Sequence, residues 1–511
     1  MLTGILFLCC ICFANQAAAQ SKVAVQQPNG KNKYIELKHA TVLRYDKSLG
    51  INAKRLIGDV ICEHEGAVMR CDSAYLYDDR KLEAFGHISV IKGDSIFVYG
   101  DKLFYDSGTK LATLEKNVRC IEKDMTLTTD LMTYDVANSV ANYYNGGTIV
   151  NKENTLKSKN GHYYSASKEL TFHYDVELKN PSYTMRSDTL RYNTSSKVSY
   201  FLGPSIIMSK QNYIYCENGF YDTEHEYSRF STNAIIVTKD QKLTGDSIYY
   251  DRKKGFGKAM KNITIIDTTN KSIITGNYAE HYEQGNRAIV TDKAVYARII
   301  EKDTMFMAAD TLQYAEPDST HSYVRAHRHV RIFKKDLQGM CDSLNYSLHD
   351  SLMRMYNSPV LWAGQGQVTA KQIDVVTGQH SVKSFLLNGN AILIQKADSL
   401  DEEKFNQVAG RKIEGFFAND TLRKINVVGN AQIVYYVKQK KKISGVNKTN
   451  CSELTMWFGG DEGMDRTTFR NKPESVALPL AESDDRENRL KGFIWLENKR
   501  PKSKMDLFTV H

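Results

Sequence analysis

The sequence predicts an all-β protein, an elongated and open-ended β-jellyroll or solenoid-like stack of about 13 two-stranded repeats. Three observations predict this fold. The phrase LTGDSIYYDRKKG at 243–255 recurs along the chain at a 29-residue spacing. Apolar and polar residues alternate within each copy, which is typical of a strand with one buried face. No segment carries a sustained apolar period of 3.6 residues, so helices are not expected.

The repeat is defined by one residue of the phrase, here called the anchor, which is usually acidic. Seven anchors follow one another at steps of 29 residues: Asp72, Asp101, Asp130, Lys159, Asp188, Glu217 and Asp246. The spacing then loosens to steps of 31, 33, 32 and 29 through Asn277, Asp310, Asp342 and Lys371. A tyrosine stands four residues after the anchor at Tyr45, Tyr105, Tyr134, Tyr163, Tyr192, Tyr221, Tyr250, Tyr314 and Tyr346. Equal steps of this kind indicate one structural unit used repeatedly.

Each unit is long enough for two strands and two turns. Neither strand buries its apolar face alone, so successive units are expected to stack and to hydrogen-bond at about 4.8 Å per strand. We expect the anchor carboxylate to accept local backbone N–H groups at a turn or bend. The residue just before the anchor is small in most copies, and Cys71, Cys216 and Cys341 occupy this position. Cysteine is a small, readily buried side chain, so these three are interpreted as structural.

The predicted organisation has five segments. Residues 1–19 contain an apolar run ending in Ala17-Ala18-Ala19, which predicts a cleaved export signal. A membrane anchor is the alternative, but the run is shorter than the ~20 residues that a membrane span needs. Residues 20–34 are predicted to be an N-terminal tail, 35–290 a regular repeat array, 291–465 its degenerate continuation with insertions, and 466–511 a C-terminal tail.

Sequence motifs for catalysis are not found. The sequence has no G-x-S-x-G, no G-x-x-x-x-G-K-[ST] and no H-E-x-x-H, and it has no C-x-x-C after the predicted export signal. His327 and His329 are predicted to share a strand face, but no third metal ligand is evident near them. We therefore expect no catalytic residues, no metal site and no cofactor. The formal net charge of +9 fits a membrane surface or a phosphorylated glycolipid better than nucleic acid, because the chain is expected to be exported.

The repeated phrase and the strands GHISV, KNVRC, GNAIL and GNAQIV resemble the OstA-like, LptA-type family of lipopolysaccharide transport. The resemblance runs over most of 35–460 and is clearest at 56–290. It implies a β-jellyroll with an apolar groove that shields lipid A chains in the periplasm. It also implies end-to-end contacts with itself or with other transport components of similar fold.

The candidate lipid-binding residues lie two and four positions after the anchor and on the companion strands. They are Ile88, Val90, Leu103, Tyr105, Met132, Tyr134, Leu190, Tyr192, Ile248, Tyr250, Ile263 and Ile265. The alternative is that the same residues simply fill a dry core.

The functional hypothesis is a non-enzymatic protein of the Gram-negative envelope that binds or carries lipopolysaccharide. It is expected in the periplasm, with association at the outer membrane left open. A structural or adhesive β-solenoid is the first alternative, and it predicts a filled interior without lipid. A carbohydrate-active enzyme on a β scaffold is the second, and it requires an acid and base cluster that the sequence does not reveal.

Overall fold

The structure is a computed structural model, and its described residues are almost entirely β. It describes 34–45, 53–94, 96–210, 212–269, 271–300, 303–318, 321–378, 382–398, 401, 403–418, 421–439, 442–459 and 464–508. The predicted export signal at 1–19 and most of the predicted tail at 20–34 lie outside these residues. No α-helix occurs in the described ranges, and short 3-10 turns stand at Leu480–Glu482, Glu497–Lys499 and Lys504–Phe508. The predicted all-β fold is confirmed.

The chain divides into two compact units. The first contains 34–239 and 247–254 of the described residues, and the second contains 240–246 and 255–508. The strands of the first unit are β1 Glu36–His39, β2 Val42–Tyr45, β3 Ala53–His64, β4 Ala67–Tyr77, β5 Lys81–Lys92, β6 Ile96–Asp106, β7 Leu111–Glu122, β8 Met125–Asp135, β9 Val140–Tyr143, β10 Gly147–Asn151, β11 Asn154–Ser158, β12 Asn160–Tyr164, β13 Glu169–Asn180, β14 Tyr183–Asn193, β15 Val198–Ser209, β16 Tyr213–Asp222 and β17 Tyr227–Val237. Strand β18 Gln241–Asp251 has residues in both units.

The second unit continues the same pattern of antiparallel neighbours. Its strands are β19 Phe256–Asp267, β20 Ser272–Tyr282, β21 Arg287–Ile300, β22 Asp303–Asp318, β23 His321–Lys334, β24 Leu337–Ser347, β25 Leu352–Tyr356, β26 Val360–Ala363, β27 Gly366–Thr369, β28 Gln372–Thr377, β29 Val382–Lys396, β30 Phe405–Ala418, β31 Thr421–Gln439, β32 Lys442–Phe458, β33 Met464–Arg470 and β34 Glu474–Pro479. Most strands pair with the next in sequence, as in β13–β14–β15 and β29–β30–β31.

Every second strand bends at residues in the left-handed backbone region. The bends lie at 58–59, 86–87, 116–117, 145–146, 174–175, 203, 232–233, 261–262, 292–293, 328–329, 357–358, 389–390, 429–430 and 471–472, and most are pairs with positive φ. The pairing register shifts at each bend inside a continuous strand, for example between Glu115 and Val118. A residue pair of this kind is a β-bulge that turns the strand. The strand halves on either side of the bend therefore face each other across a common core.

The anchor acts through side-chain contacts with the bend of the following strand. Asp101 Oδ2 accepts a hydrogen bond from Asn117 Nδ2 at 2.6 Å, and Glu217 Oε1 accepts one from Asn233 Nδ2 at 2.7 Å. At the one basic anchor of the regular array the charges are exchanged, since Lys159 Nζ lies 2.7 Å from Asp175 Oδ2. These side-chain contacts differ from the local backbone bonds that the sequence led us to expect.

The local backbone bonds belong instead to the second acidic residue of the phrase, five positions after the anchor. Asp106 Oδ1 accepts the Gly108 N–H at 2.8 Å. Asp222 Oδ1 accepts the His225 N–H at 2.8 Å. A carboxylate that bonds its own backbone two or three residues on stabilises a tight turn. These residues close the hairpin turns, while the anchors hold the bends.

The small residue before the anchor is buried at the bend. Cys71, Cys216 and Cys341 are buried there as free thiols, as the structural interpretation expected. Several residues at this position donate to the carbonyl two residues on, including Cys71 to Ser73 at 3.3 Å and Ser187 to Thr189 at 2.9 Å. A small side chain with a donor therefore fits the space and satisfies its own polar atom.

The C-terminal residues leave the sheet after β34. Strands β33 and β34 still pair with β32. From Leu480 to Phe508 the chain forms only turns and short 3-10 segments. This part, which contains GFIWLENKRP, packs on the second unit through Leu490, Phe493 and Trp495.

Candidate functional site

The candidate site is an apolar cavity between the facing strand halves of the first unit. Its volume is about 260 Å³. A water-sized group takes ~30 Å³, so the cavity holds roughly nine groups of the size of a methylene. The side chains that line it come from strands between β3 and β12, from the adjoining turns and from Ile35 before β1. The repeat places them together because each 29-residue unit contributes side chains at the same inward-facing positions.

Five of the predicted lipid-binding residues line this cavity: Val90, Leu103, Tyr105, Met132 and Tyr134. Leu103 and Met132 are buried in the core cluster below it, with exposed fractions of 4% and 5%. Val90 and Tyr105 are half-buried and pack against the same cluster. Leu103, Tyr105, Met132 and Tyr134 lie in the strand halves that follow the anchors, whereas Val90 pairs with Val98 in the facing halves. The structure therefore brings the five to one cavity from two sides.

The other predicted residues lie elsewhere. Ile88 belongs to the same core cluster but does not line the cavity, and it is buried next to the bend at 86–87. Leu190 and Tyr192 are buried in β14, and Ile248 and Tyr250 lie in β18. Ile263 and Ile265 lie in β19 of the second unit. The assignment of these residues to lipid stays a prediction.

Further lining residues follow the same alternation but were not among the predicted set. They include Cys62, Met69, Leu82, Val98, Leu114, Cys120, Ala141 and Tyr163. Met69 and Val98 stand three positions before an anchor. They lie on the inner face of the strand halves that precede the anchors. Counting inward positions on both sides of the anchor would have found them.

Charged side chains surround the apolar part of the cavity. Lys92 and Glu122 occupy the inward positions at the ends of β5 and β7, and Lys168 is also in the lining. The Lys92 ammonium lies 5.8 Å from the centre of the Tyr134 ring. Lys110 pairs with Glu65 and holds the pKa of that carboxyl below its usual value. An apolar interior with charges of both signs at its edge suits an amphiphilic molecule.

Tyr105 of the cavity remains protonated at neutral pH. Burial raises the pKa of Tyr105 to about 12. Its hydroxyl lies 2.8 Å from Nδ1 of His64. The ring thus presents its apolar body to the cavity and keeps its polar end paired.

A larger groove of about 1050 Å³ lies on the outer face of the same strand halves. Its floor is a cross-strand row that includes Tyr99, Arg119 and Thr128. Its edge includes the anchors Asp101, Asp130 and Lys159. Most side chains that line this groove are polar or charged and it is open to solvent, so it offers little shelter to an apolar chain.

The described residues contain no group of three or more His, Cys, Asp and Glu side chains arranged to hold a metal ion. His329 is exposed and lies within a bend, where its Nδ1 is 2.9 Å from Oδ2 of the anchor Asp310. In the part of the chain described, no helix is both long enough and apolar enough to cross a membrane.

The fold and the cavity define a class: a β-repeat protein whose strands bend around an apolar interior. Residues 32–188 and 184–246 match the family model described as OstA-like protein. This match covers less than half of the chain, and it supports the family predicted from the repeat over 32–246. The cavity lies within this region.

A crystal structure of LptH from Pseudomonas aeruginosa, described as the LptA homologous periplasmic component of the lipopolysaccharide transport device, is similar at 15% identity. The match covers 23% of this chain and 82% of that chain, with a TM-score of 0.21. No curated protein matches this chain.

Proposed function

We propose that the protein binds lipopolysaccharide and shields acyl chains of lipid A in the cavity of the first unit during transfer to the outer membrane. The observation that carries the proposal is the apolar cavity of about 260 Å³ inside the OstA-like region. The family resemblance supports lipopolysaccharide as the amphiphile. The protein acts in this proposal by binding, without catalysis, in the periplasm.

The cavity supports the proposal energetically. Exposing an acyl chain to water costs about 0.8 kcal/mol per methylene. Roughly nine sheltered groups therefore represent about 7 kcal/mol. A cavity of this size shelters part of one acyl chain. A lipid with several acyl chains therefore requires the interior of further repeats or a wider separation of the strand halves. End-to-end contact with another β-repeat protein, or with a second copy, would extend the path.

Photocrosslinking tests the proposal at two adjacent residues that face opposite ways. Tyr163 lines the cavity, whereas Tyr164 is 41% exposed on the outside. A photoreactive phenylalanine at 163 is expected to capture lipid A in cells, and the same group at 164 is expected to capture little. Tyr134, in the lining one rung earlier, provides a second inward position.

A substitution that fills the cavity gives an independent measurement. Met132→Trp adds volume at the wall and should reduce lipid recovered by mass spectrometry from protein purified without detergent. Tyr164→Trp is the matched surface control and should leave recovery unchanged. Equal capture at 163 and 164, together with no lipid on purification, would favour the structural or adhesive alternative.

A further inference from the structure

The second unit holds the C-terminal segment 484–508 against its outer face. The segment contacts β30 near Leu490, β27 near Ile494 and β23 near Asp506. None of its residues belongs to a strand. It therefore crosses the sheet as an irregular peptide of turns and short 3-10 segments, which is held by side chains and not by the backbone ladder.

Three buried glutamines lie along the path of this segment. Gln338, Gln367 and Gln407 have exposed fractions of 3%, 0% and 1%. Gln338 and Gln367 stand four residues before the anchors Asp342 and Lys371, and Gln407 stands four residues before Arg411, where the repeat is degenerate. The same repeat position is half-buried in the first unit, for example at Phe97 and Thr126.

The glutamines belong to one cross-strand row on the outer face. The row runs Gln338, Trp362, Gln367, Ile394, Gln407 and Val434 through successive pairings of β24, β26, β27, β29, β30 and β31. Outer-face side chains of a strand normally meet water. Here they are buried, and the segment 484–508 packs against this face.

Two of the glutamines bind the main chain of the segment through both ends of their amides. Gln407 donates to the Asn488 carbonyl at 3.1 Å and accepts the Leu490 N–H at 2.8 Å. Gln367 donates to the Ile494 carbonyl at 2.6 Å and accepts the Leu496 N–H at 2.8 Å. A carboxamide has one donor group and one acceptor group, as a peptide group has. Each glutamine therefore makes the pair of main-chain hydrogen bonds that a neighbouring strand would otherwise make.

Aromatic packing near the Gln407 and Gln367 contacts adds a preference for particular side chains in the bound segment. The rings of Phe493 and Trp495 lie 5.2 Å and 5.1 Å from that of Phe405, measured between centroids. Ile392 and Ile394 are buried in the same cluster. The face therefore selects large apolar side chains at two positions of the bound peptide.

Charged groups at the two ends fix the direction of the peptide. Asp485 lies 3.0 Å from Lys404 Nζ and accepts the Tyr436 hydroxyl at 2.7 Å. At the other end, Arg500 donates to Gln338 Oε1 at 2.8 Å and to the Gly364 carbonyl at 3.0 Å. A peptide bound in the reverse direction would lose both contacts.

We propose that this outer face is a peptide-binding site and that residues 484–508 are a separable ligand for it, which binds equally from a second copy of the chain. Separation of the segment leaves the strand ladder intact, because side chains provide its contacts to the outer face. It also leaves an apolar row and buried amides uncovered, which favours rebinding of the same sequence.

The test separates the segment from a folded chain. A specific-protease site is inserted between Ala481 and Glu482, which are both exposed and precede the bound residues. After cleavage, a fluorescent peptide of residues 484–508 is expected to exchange into the protein and to raise its anisotropy saturably. Gln367→Ala with Gln407→Ala should weaken this binding by roughly tenfold or more, since four main-chain bonds are lost. Gln432→Ala, on β31 beside Asn450, is the control and should bind the peptide as well as the parent.

Variants of the uncut chain give a second measurement. Asp485→Lys and Arg500→Glu remove the contacts at the two ends of the bound segment, so the same fluorescent peptide should bind this double variant about tenfold more tightly than it binds the wild-type chain. No exchange after cleavage, or equal binding by the glutamine variants and the control, would overturn the proposal. No lipid takes part in either measurement, so their failure would leave the proposed lipid function standing.

Discussion

The Tyr105 hydroxyl lies 2.8 Å from Nδ1 of His64, although the two residues are 41 positions apart in sequence. The pair joins β6 to the end of β3 at the wall of the cavity. It is a contact between the two strand halves that enclose the interior. Its strength therefore bears on how firmly the cavity wall is held.

Removal of this hydroxyl should weaken the first unit. Tyr105→Phe is expected to lower the free energy of unfolding by about 0.5–1.5 kcal/mol, because one buried hydrogen bond is lost. Tyr134→Phe is the matched control, since Tyr134 holds the same repeat position and packs near Lys92 instead. Its effect should stay within about 0.5 kcal/mol. Urea denaturation of both variants measures the difference, and equal losses would show that the pair with His64 adds nothing.

The bends should tolerate glycine and reject β-branched residues. Asn117 has a φ of 52° at the bend of β7. Asn117→Val should cost about 1–2 kcal/mol of unfolding free energy, because a branched side chain is strained in the left-handed region. Asn117→Gly loses the same bond to Asp101 but relaxes the backbone, so it should cost less than about 0.5 kcal/mol. Thermal or urea unfolding that ranks the two variants equally would contradict this account.

His281 should make the second unit less stable in acid. It replaces the repeat tyrosine on β20, four positions after Asn277. Both ring nitrogens are buried without a hydrogen-bond partner among the described residues. Burial lowers the pKa of His281 from 6.5 to about 4. Between these values the unfolded chain binds a proton that the folded chain does not, so the free energy of unfolding falls as the pH falls from 6.5 to 4.

His281→Tyr should remove that part of the pH dependence. The difference in stability between pH 7 and pH 4 is expected to shrink by about 2 kcal/mol, after allowance for the partial exposure of the ring. His349→Tyr, at an exposed position, should change it little. Unfolding curves at the two pH values provide the measurement, and an unchanged pH dependence in His281→Tyr would exclude this role.

The cysteines should be free and slow to react. Within the described residues Cys62, Cys71, Cys120, Cys216, Cys341 and Cys451 are unpaired. Burial raises the pKa of Cys71, Cys216 and Cys341 to about 12. The thiolate is the reactive form, so a chain beginning at residue 20 should react slowly with a thiol reagent at pH 8. All six thiols should react at once in denaturant without reductant, and fewer than six would reveal a disulfide.

The period of two was sufficient to predict the inner face. Leu103 and Met132 occupy equivalent positions on successive rungs, so their shared position in the repeat placed both in the interior. The bends were harder to predict, because residues as different as Tyr174, Thr232 and Lys261 adopt the same left-handed conformation. Their identity varies since the neighbouring strands, and not the residue alone, impose the bend.

The covered face of the second unit could not be predicted from the sequence. Gln367 and Gln407 stand at positions whose alternation indicates solvent. Their burial depends on a segment about 80 to 130 positions further along the chain, as the contacts from Gln407 to Asn488 and from Gln367 to Ile494 show. Local periodicity contains no information about such distant partners.

Each 29-residue repeat contains its own bend, its own hairpin turn and its own small residue before the anchor. Between Asp101 and Asp246 these parts recur without a change of spacing. Excising the stretch from one anchor to just before the next, such as 188–216, would join equivalent positions of two repeats. The number of repeats is thus adjustable. Deleting or duplicating 29-residue units would give shorter or longer arrays that keep the same turns.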